Sequence, residues 1–177
     1  MEFPNVSRLL LVMIFIHEGG FSVGDGNRDQ FYNPDILLDK DIVLVTLQYR
    51  LGPLGFFTTG NEVVPGNNGL KDQTLALRWV KKNIINFGGN PDSITVWGQS
   101  AGGTGAHLHM LSPMSKGLFH KAISQSGTGL NRRVIVSNNK GLTVAKELAL
   151  SVNCSIAFSV KIVKCLKRVD VSEIIER

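Results

Sequence analysis

Short apolar runs bounded by turn residues dominate the hydrophobic pattern of this chain. Four of them have the length of single strands: residues 9–16, 42–49, 94–97 and 122–124. Continuous apolar runs of this kind are typical of strands buried on both faces of a parallel sheet. The first run is too short to span a bilayer, and no small-residue cleavage site follows it. The pattern therefore predicts four buried strands and no membrane span.

Helical periodicity occupies the intervals between these runs. The apolar positions of residues 70–87 fall on one helical face: Leu70, Leu77, Val80, Ile84 and Phe87. Asp72 suits the first turn of that helix, and the sequence GGNP at 88–91 stops it. Two further amphipathic helices are predicted at 142–150 and 160–168. Strands that alternate with helices predict an α/β class with a mostly parallel sheet, in which functional residues follow the carboxyl ends of the strands.

The composition is that of a folded domain. The chain has 177 residues, of which 43% are hydrophobic, and this is enough for one domain with a real core. The formal net charge is +5, and the basic residues are scattered except for one cluster: Lys161, Lys164, Lys167 and Arg168. Their near-helical spacing favours a solvated helix face over a nucleic-acid or membrane patch. We therefore expect no nucleic-acid partner.

The strongest chemical signal is the sequence GQSAGG at 98–103, which directly follows a predicted strand and precedes a predicted helix. A sharp turn from strand to helix exposes the serine in its middle, here Ser100, above the sheet. The glycines around it, Gly98 and Gly102, remove side chains that would clash in this elbow, while Gln99 precedes the serine. An ordinary glycine-rich turn is the alternative interpretation, since GxSxG alone is a weak motif. The context favours Ser100 as a nucleophile.

An acyl-transfer serine needs backbone amides that point at the oxyanion formed on the substrate carbonyl. One donor is the amide of the residue after the nucleophile, here Ala101, and the others come from an earlier strand-to-helix loop. The segment HEGGF at 17–21 directly follows the first predicted strand. It is therefore the expected source of the remaining donors.

Five segments, in this order, resemble successive landmarks of the type-B carboxylesterases, a family with the α/β-hydrolase fold. They are HEGGF at 17–21, QYRLGPLGFF at 48–57, GNNGLKDQTLALRWVKKNI at 66–84, FGGNPDSITVWGQSAGG at 87–103 and LFHKAISQSG at 118–127. The resemblance covers nearly the whole chain. It implies a carboxylic ester hydrolase that forms an acyl-enzyme on Ser100, acts on a small-molecule ester and needs neither a cofactor nor a metal.

On the family pattern, the oxyanion donors are the amides of Gly19, Gly20 and Ala101. Two positions depart from that pattern. Glu18 replaces the first of three glycines, so its carboxylate either lies near the wall of the substrate gorge or points away from it. Gln99 stands where the family commonly has Glu, which removes negative charge beside the serine and favours neutral esters over cationic choline esters. The elbow GQSAG also resembles that of insect juvenile hormone esterases.

The chain has two cysteines, Cys154 and Cys165, in the region where the resembled family has a loop-closing disulfide. The resemblance implies that they are bonded to each other, although two separate buried thiols remain an alternative. A disulfide would indicate an oxidising compartment, which favours a secreted protein or one of the secretory pathway, while a cytoplasmic location stays open as the alternative. The tripeptides that begin at Asn5 and Asn153 are N-glycosylation acceptors consistent with secretion.

A catalytic acid and base are not evident in the sequence. In the resembled family both follow the serine, the acid before the His, and so far along the chain that we expect them beyond Arg177. On a helix, His107 and His109 would lie about 10 to 13 Å from Ser100 along the axis, too far for direct proton transfer. The remaining two histidines are expected to have structural roles, with His17 organising the oxyanion turn.

These observations predict a single partial α/β-hydrolase domain over residues 1–177, incomplete at both ends and nearly inactive by itself. Two alternatives stay open at the level of sequence. One is a non-catalytic relative of the cholinesterase-like adhesion proteins, which bind partners with the same fold, and the other is an inactive truncated product. The sequence predicts nothing about the oligomeric state.

Overall fold

The computed structural model of the chain describes residues 8–27, 34–131 and 134–176. This part of the chain forms two compact units. The first consists of the described residues of Met1–Tyr49 and Leu70–Asn131, and the second of those of Arg50–Gly69 and Arg132–Arg177. The acceptor tripeptide at Asn5 lies outside the described residues, and the single domain predicted over 1–177 stays a prediction.

All four predicted strands join one parallel sheet in the first unit. They are β1 (Leu10–Ile16), β2 (Ile42–Thr46), β3 (Gly89–Gln99) and β4 (Lys121–Gln125), in the order β2-β1-β3-β4. The two central strands contribute the middle of the core, where Val12, Ile14, Ile94 and Val96 are fully buried. β-Branched side chains suit a sheet that is covered on both faces. The predicted α/β class is therefore confirmed.

Two strand boundaries differ from the prediction by three residues or more because of strand pairing. β2 ends at Thr46 rather than at residue 49, since its ladder with β1 ends where Phe15 lies opposite Thr46. β3 begins at Gly89, inside the predicted helix stop, because Gly89 pairs with Leu10 across a shift in register. These partners are distant in sequence, so a local pattern does not reveal where the ladder starts or stops.

Seven α-helices lie in the described part of the chain. They are α1 (Asp35–Leu38), α2 (Gly52–Phe56), α3 (Asn68–Asn83), α4 (Ala101–Leu111), α5 (Asn138–Ser151), α6 (Ser159–Leu166) and α7 (Val171–Ile175). Two 3₁₀ turns, Ile84–Phe87 and Pro113–Ser115, follow α3 and α4. No helix within these described ranges is long and apolar enough to cross a membrane.

The helix predicted at 70–87 is confirmed as α3 with the 3₁₀ turn after it. Its apolar face packs into the first unit, where Leu77, Val80 and Ile84 are buried. Gly88 ends the turn with φ of 77°, a left-handed conformation that glycine adopts without strain. Phe87 shared the predicted face but is 58% exposed and packs its ring on that of Trp79. The tighter 3₁₀ winding accounts for this, because it rotates the last side chains away from the α-helical stripe.

The second unit has its own small core between α5 and α6. Ala149, Cys154, Ile162 and Leu166 are buried there. Cys154 and Cys165 form a disulfide with their α-carbons 5.8 Å apart, which confirms the pairing implied by the resemblance. Both helices predicted in this region are confirmed. α5 begins earlier than predicted, because the Ser137 hydroxyl caps it by accepting the Lys140 amide.

Candidate active site

Ser100 lies at the junction between β3, which ends at Gln99, and α4, which begins at Ala101. Its backbone has φ of 51° and ψ of −114°, outside the regions that L-residues normally occupy. Such a conformation costs on the order of 1 to 3 kcal/mol and persists only where its surroundings enforce it. Two backbone bonds do so: the Ser100 amide donates to Gln125 O at 2.8 Å, and Thr104 donates to Ser100 O at 2.9 Å.

Glycines on both sides of Ser100 allow the elbow to pack against the end of β1. A Cβ atom at Gly98 would lie 2.5 Å from the carbonyl oxygen of Ile16. One at Gly102 would collide with that same oxygen and lie 2.9 Å from His17 O. Neither contact has a flexible partner that could move aside, since both involve backbone atoms. The first turn of α4 therefore reaches the sheet only because these positions carry no side chain.

The Ser100 side chain is held at the helix N-terminus without capping it. A serine at this position usually accepts a hydrogen bond from the second or third amide of the helix, but Ser100 makes no such bond. Its hydroxyl forms no other hydrogen bond within the described residues, and the residue is half-buried. The positive end of the α4 dipole lies beside it. The hydroxyl thus lies at the start of α4, is partly accessible to solvent and has no hydrogen-bond partner among the described residues.

The turn after β1 begins next to this elbow, because Ile16, the last residue of β1, lies opposite Gly98 in the β1–β3 ladder. Three successive residues of the turn have left-handed backbones: Gly19 with φ of 100°, Gly20 with φ of 63° and Phe21 with φ of 61°. The Gly19 carbonyl accepts the amides three and four residues ahead, at residues 22 and 23, at 3.0 Å each. Among the described residues, the amides of Gly19, Gly20 and Ala101 donate no hydrogen bond.

His17 packs beside this turn and hydrogen-bonds to its backbone. Its ring is fully buried and stacks on Tyr49 with 4.4 Å between the ring centres. Nδ1 donates to the Glu18 carbonyl at 2.8 Å, and the Tyr49 hydroxyl donates to His17 O at 3.0 Å. His17 Nε2 and Glu18 Oε2 are both buried and have no hydrogen-bond partner in the part of the chain that the structure describes. The bulk of the His17 ring thus serves to hold the glycine turn in place.

Two other histidines, His107 and His120, accept hydrogen bonds from backbone amides. His107 Nδ1 accepts the Gly129 amide at 3.1 Å and the Thr128 hydroxyl at 2.9 Å. His120 Nδ1 accepts the Ile94 amide at 3.1 Å, so it connects the loop before β4 to β3. A neutral imidazole has one acceptor nitrogen, and in each of these two rings that nitrogen, Nδ1, already accepts a backbone amide. Neither ring therefore has a free nitrogen with which to abstract a proton.

His109 belongs to a buried polar network that the sequence did not indicate. Its Nδ1 lies 2.8 Å from Ser115 Oγ and its Nε2 lies 2.9 Å from Gln73 Oε1. Burial lowers the pKa of His109 from 6.5 to about 4, so the ring is neutral at physiological pH. Nε2 then donates to Gln73, and Nδ1 accepts the Ser115 hydroxyl. Gln73 on α3 is far from His109 in sequence, which is why no local pattern pointed to this contact.

Gln99 completes the surroundings of the serine. It is exposed at the end of β3, opposite Gln125 of β4 in the strand register. Among the described residues, no group of three or more His, Cys, Asp or Glu side chains could hold a metal ion.

The chain matches the model of the carboxylesterase family over residues 2–177. It is 45% identical over 172 residues to juvenile hormone esterase of Tribolium castaneum, covering 96% of this chain and 29% of that protein. It is 48% identical over 160 residues to esterase FE4 of Myzus persicae, covering 90% of this chain and 28% of that protein. Bile salt-activated lipase of Homo sapiens is 45% identical over 172 residues, with 94% and 23% covered.

A solved structure shows the same architecture. The juvenile hormone esterase from Manduca sexta, with OTFP covalently attached, superposes with a TM-score of 0.89 at 35% identity. The match covers 94% of this chain and 31% of that one, so the chain spans less than a third of the length of these relatives. The predicted α/β-hydrolase fold is confirmed by this superposition. Since the family model extends over almost every residue and includes the elbow and the glycine turn, the chain belongs to the carboxylesterase family.

Proposed function

We propose that the protein containing this chain hydrolyses carboxylic esters with Ser100 as its nucleophile. The observation that carries the proposal is the strained backbone of Ser100 together with a hydroxyl that makes no hydrogen bond among the described residues. Backbone strain of this kind clusters at functional sites. A strained strand-to-helix turn with glycines on both sides is the arrangement that exposes a hydrolase serine.

The proposed reaction proceeds in two steps. Ser100 Oγ attacks the ester carbonyl carbon and transfers its proton to a general base. The carbon–oxygen bond to the alcohol then breaks, and the alcohol leaves with the proton from the base. Water attacks the resulting acyl-enzyme in the same way, which releases the carboxylic acid and restores the serine hydroxyl. No cofactor or metal is required by this chemistry.

The amides of Gly19, Gly20 and Ala101 are the proposed oxyanion donors. The proposal is supported by their position at one end of the sheet and by their lack of acceptors within the described residues. The left-handed backbones at Gly19 and Gly20 redirect successive amides, which side-chain-bearing residues would do only with strain. Loss of a single oxyanion donor typically lowers kcat by about a hundredfold to a thousandfold.

The general base is proposed to come from another part of the protein. His107 and His120 use Nδ1 as an acceptor for backbone amides, and His109 is enclosed in its own network. The His17 ring is fully buried and stacked on that of Tyr49. The relatives' greater length leaves room for the acid and His that the family pattern requires.

A neutral small-molecule ester is the proposed substrate class. The residue before the nucleophile is an uncharged and exposed Gln99, so no carboxylate attracts a cationic substrate at that position. The relatives that this chain resembles include proteins named as esterases and a lipase, which supports an ester rather than an amide or phosphate bond.

Labelling with an organophosphonate tests the nucleophile. The protein purified from its source should gain one phosphonyl group on the peptide that contains Ser100, with parallel loss of ester turnover. Ser100→Ala should abolish both, whereas Ser151→Ala, at an exposed position of α5, should change neither. Labelling at a different serine, or turnover that survives Ser100→Ala, would refute the proposal.

A further inference from the structure

A second chemically distinct site lies in the turn between α5 and α6. The sequence there is Asn153-Cys154-Ser155, which fits the acceptor pattern for N-linked glycans, Asn-X-Ser with X other than Pro. Asn153 and Ser155 are both exposed. Within the described residues, the exposed Asn153 side chain forms no hydrogen bond, so no contact there occupies its amide nitrogen.

The middle residue of this tripeptide is one half of the disulfide. Cys154 is bonded to Cys165, and disulfides persist in the oxidising compartments of the secretory pathway. N-linked glycans are added in proteins that enter the same pathway. The glycan and the disulfide would therefore form in the same compartment, on the adjacent residues Asn153 and Cys154.

The closed disulfide holds the tripeptide in a compact turn. Asn153 has φ of 59°, its amide donates to Leu150 O at 3.1 Å, and the Cys154 amide donates to Ala149 O at 2.7 Å. The Cys154 side chain is only 3% exposed and is packed in the core of the second unit. A transferase that binds the tripeptide as an accessible segment is therefore hindered while Cys154 is fixed in this core. The finished turn nevertheless leaves room for a glycan, because Asn153 itself is on the surface.

We propose that Asn153 is N-glycosylated and that the glycan is transferred before the Cys154–Cys165 disulfide closes. In the transfer, Nδ2 of Asn153 attacks C1 of a lipid-pyrophosphate-linked oligosaccharide. The bond between C1 and the pyrophosphate oxygen breaks, the lipid pyrophosphate leaves, and a proton of Nδ2 passes to the transferase. Folding and glycosylation then compete, so the fraction of modified Asn153 depends on how fast the disulfide forms.

The test is made on the protein directed into the secretory pathway of insect cells. Enzymatic deglycosylation in heavy-oxygen water converts each modified asparagine to a labelled aspartate, and peptide mapping of total cellular protein assigns the label to Asn153. Asn153→Gln and Ser155→Ala should remove it. Cys165→Ser should raise the modified fraction at least about twofold, since disulfide formation takes seconds to hours and would no longer compete.

Lys164→Ser is the matched control, because it alters the exposed neighbour of Cys165 and keeps the disulfide. It should leave the modified fraction unchanged. A brief reducing treatment of cells making the wild-type protein should raise that fraction as Cys165→Ser does, which separates the effect of the bond from any misfolding of the variant. An unmodified Asn153 in both the wild type and Cys165→Ser would overturn the site. Equal modification with and without the disulfide would overturn the proposed order.

Discussion

At the scale of single residues, burial determines the protonation of His109. The ring lies between Ser115 and Gln73, with hydrogen bonds at 2.8 and 2.9 Å, and it has almost no contact with water. Each of these bonds fits the neutral ring, which has one donor and one acceptor nitrogen. A charged ring would have to donate from both nitrogens in a site where burial already disfavours charge.

Because of His109, we expect the free energy of unfolding to decrease as the pH is lowered. Its pKa is lowered from 6.5 to about 4 by burial, so the unfolded chain binds the proton at a higher pH than the folded one. The stabilisation is complete above pH of about 6.5 and is lost as the pH falls toward about 4, with a loss of at most about 3 kcal/mol. Denaturant unfolding at a series of pH values between about 6.5 and about 4 measures this loss of stability. His109→Gln should show a shallower decline, and an identical decline would contradict the assignment.

The absence of charge on Gln99 leads to a prediction about selectivity. In the proposed esterase, Gln99→Glu should raise kcat/KM for a choline ester relative to a naphthyl ester by up to about fivefold. The change is small because an exposed attraction is worth at most about 1 kcal/mol and is screened by salt. Gln125→Glu, on the strand beside it, is the matched control for charge alone. A wild-type preference for the choline ester would contradict the electrostatic argument.

At the scale of elements, we expect the disulfide to contribute much of the stability of the second unit. It closes a loop between residues 11 apart in sequence, at the point where the turn after α5 meets α6. The core that it joins is small, with Ala149, Ile162 and Leu166 as its main buried side chains. Few apolar contacts make such a region dependent on a covalent link.

Removal of this link should therefore destabilise the second unit. Cys154→Ser combined with Cys165→Ser is expected to cost about 3 kcal/mol, as the chain-entropy model gives for a loop of this size. Protection of α6 amides from hydrogen exchange should fall in the double variant, while that of β1 and β3 should not. Equal protection of α6 with and without the disulfide would show that the helices hold the unit by packing alone.

At the scale of the whole molecule, the sheet has two outer strands. β2 and β4 each pair with one neighbour within the described residues, and Ile123 on β4 is 43% exposed. Parallel strands normally have partners and cover on both faces. An exposed parallel edge with an apolar side chain is a site for association with other chains.

The 177-residue chain expressed alone is therefore expected to aggregate and to be nearly inactive. Loss of the base in a serine hydrolase costs on the order of a millionfold, and an oxyanion hole with binding retains about a thousandfold to ten-thousandfold over water. Light scattering and ester turnover of the purified chain, with Ser100→Ala as control, measure both effects. Robust turnover that depends on Ser100 would mean that a base inside the chain, such as His17 or His107, reaches the serine.

The sequence by itself determined the class of the fold, the four strands and the helix at α3. These features follow from the spacing of apolar residues along the chain, which needs no knowledge of distant contacts. It also indicated Ser100 and the glycines around it, because a strand-to-helix elbow is a local structure whose steric demands appear in adjacent residues. The pairing of Cys154 with Cys165 came from resemblance to a family, and the structure confirms it.

Only the tertiary structure decided where β3 begins, how Phe87 faces and what surrounds the histidines. Gly89 joins the sheet because Leu10 lies beside it, and His109 is neutral because the fold buries its ring. Leu10 is far from Gly89 in sequence, and Gln73 is far from His109. A strand boundary or a pKa depends on what the fold brings next to a residue as well as on the residues that flank it.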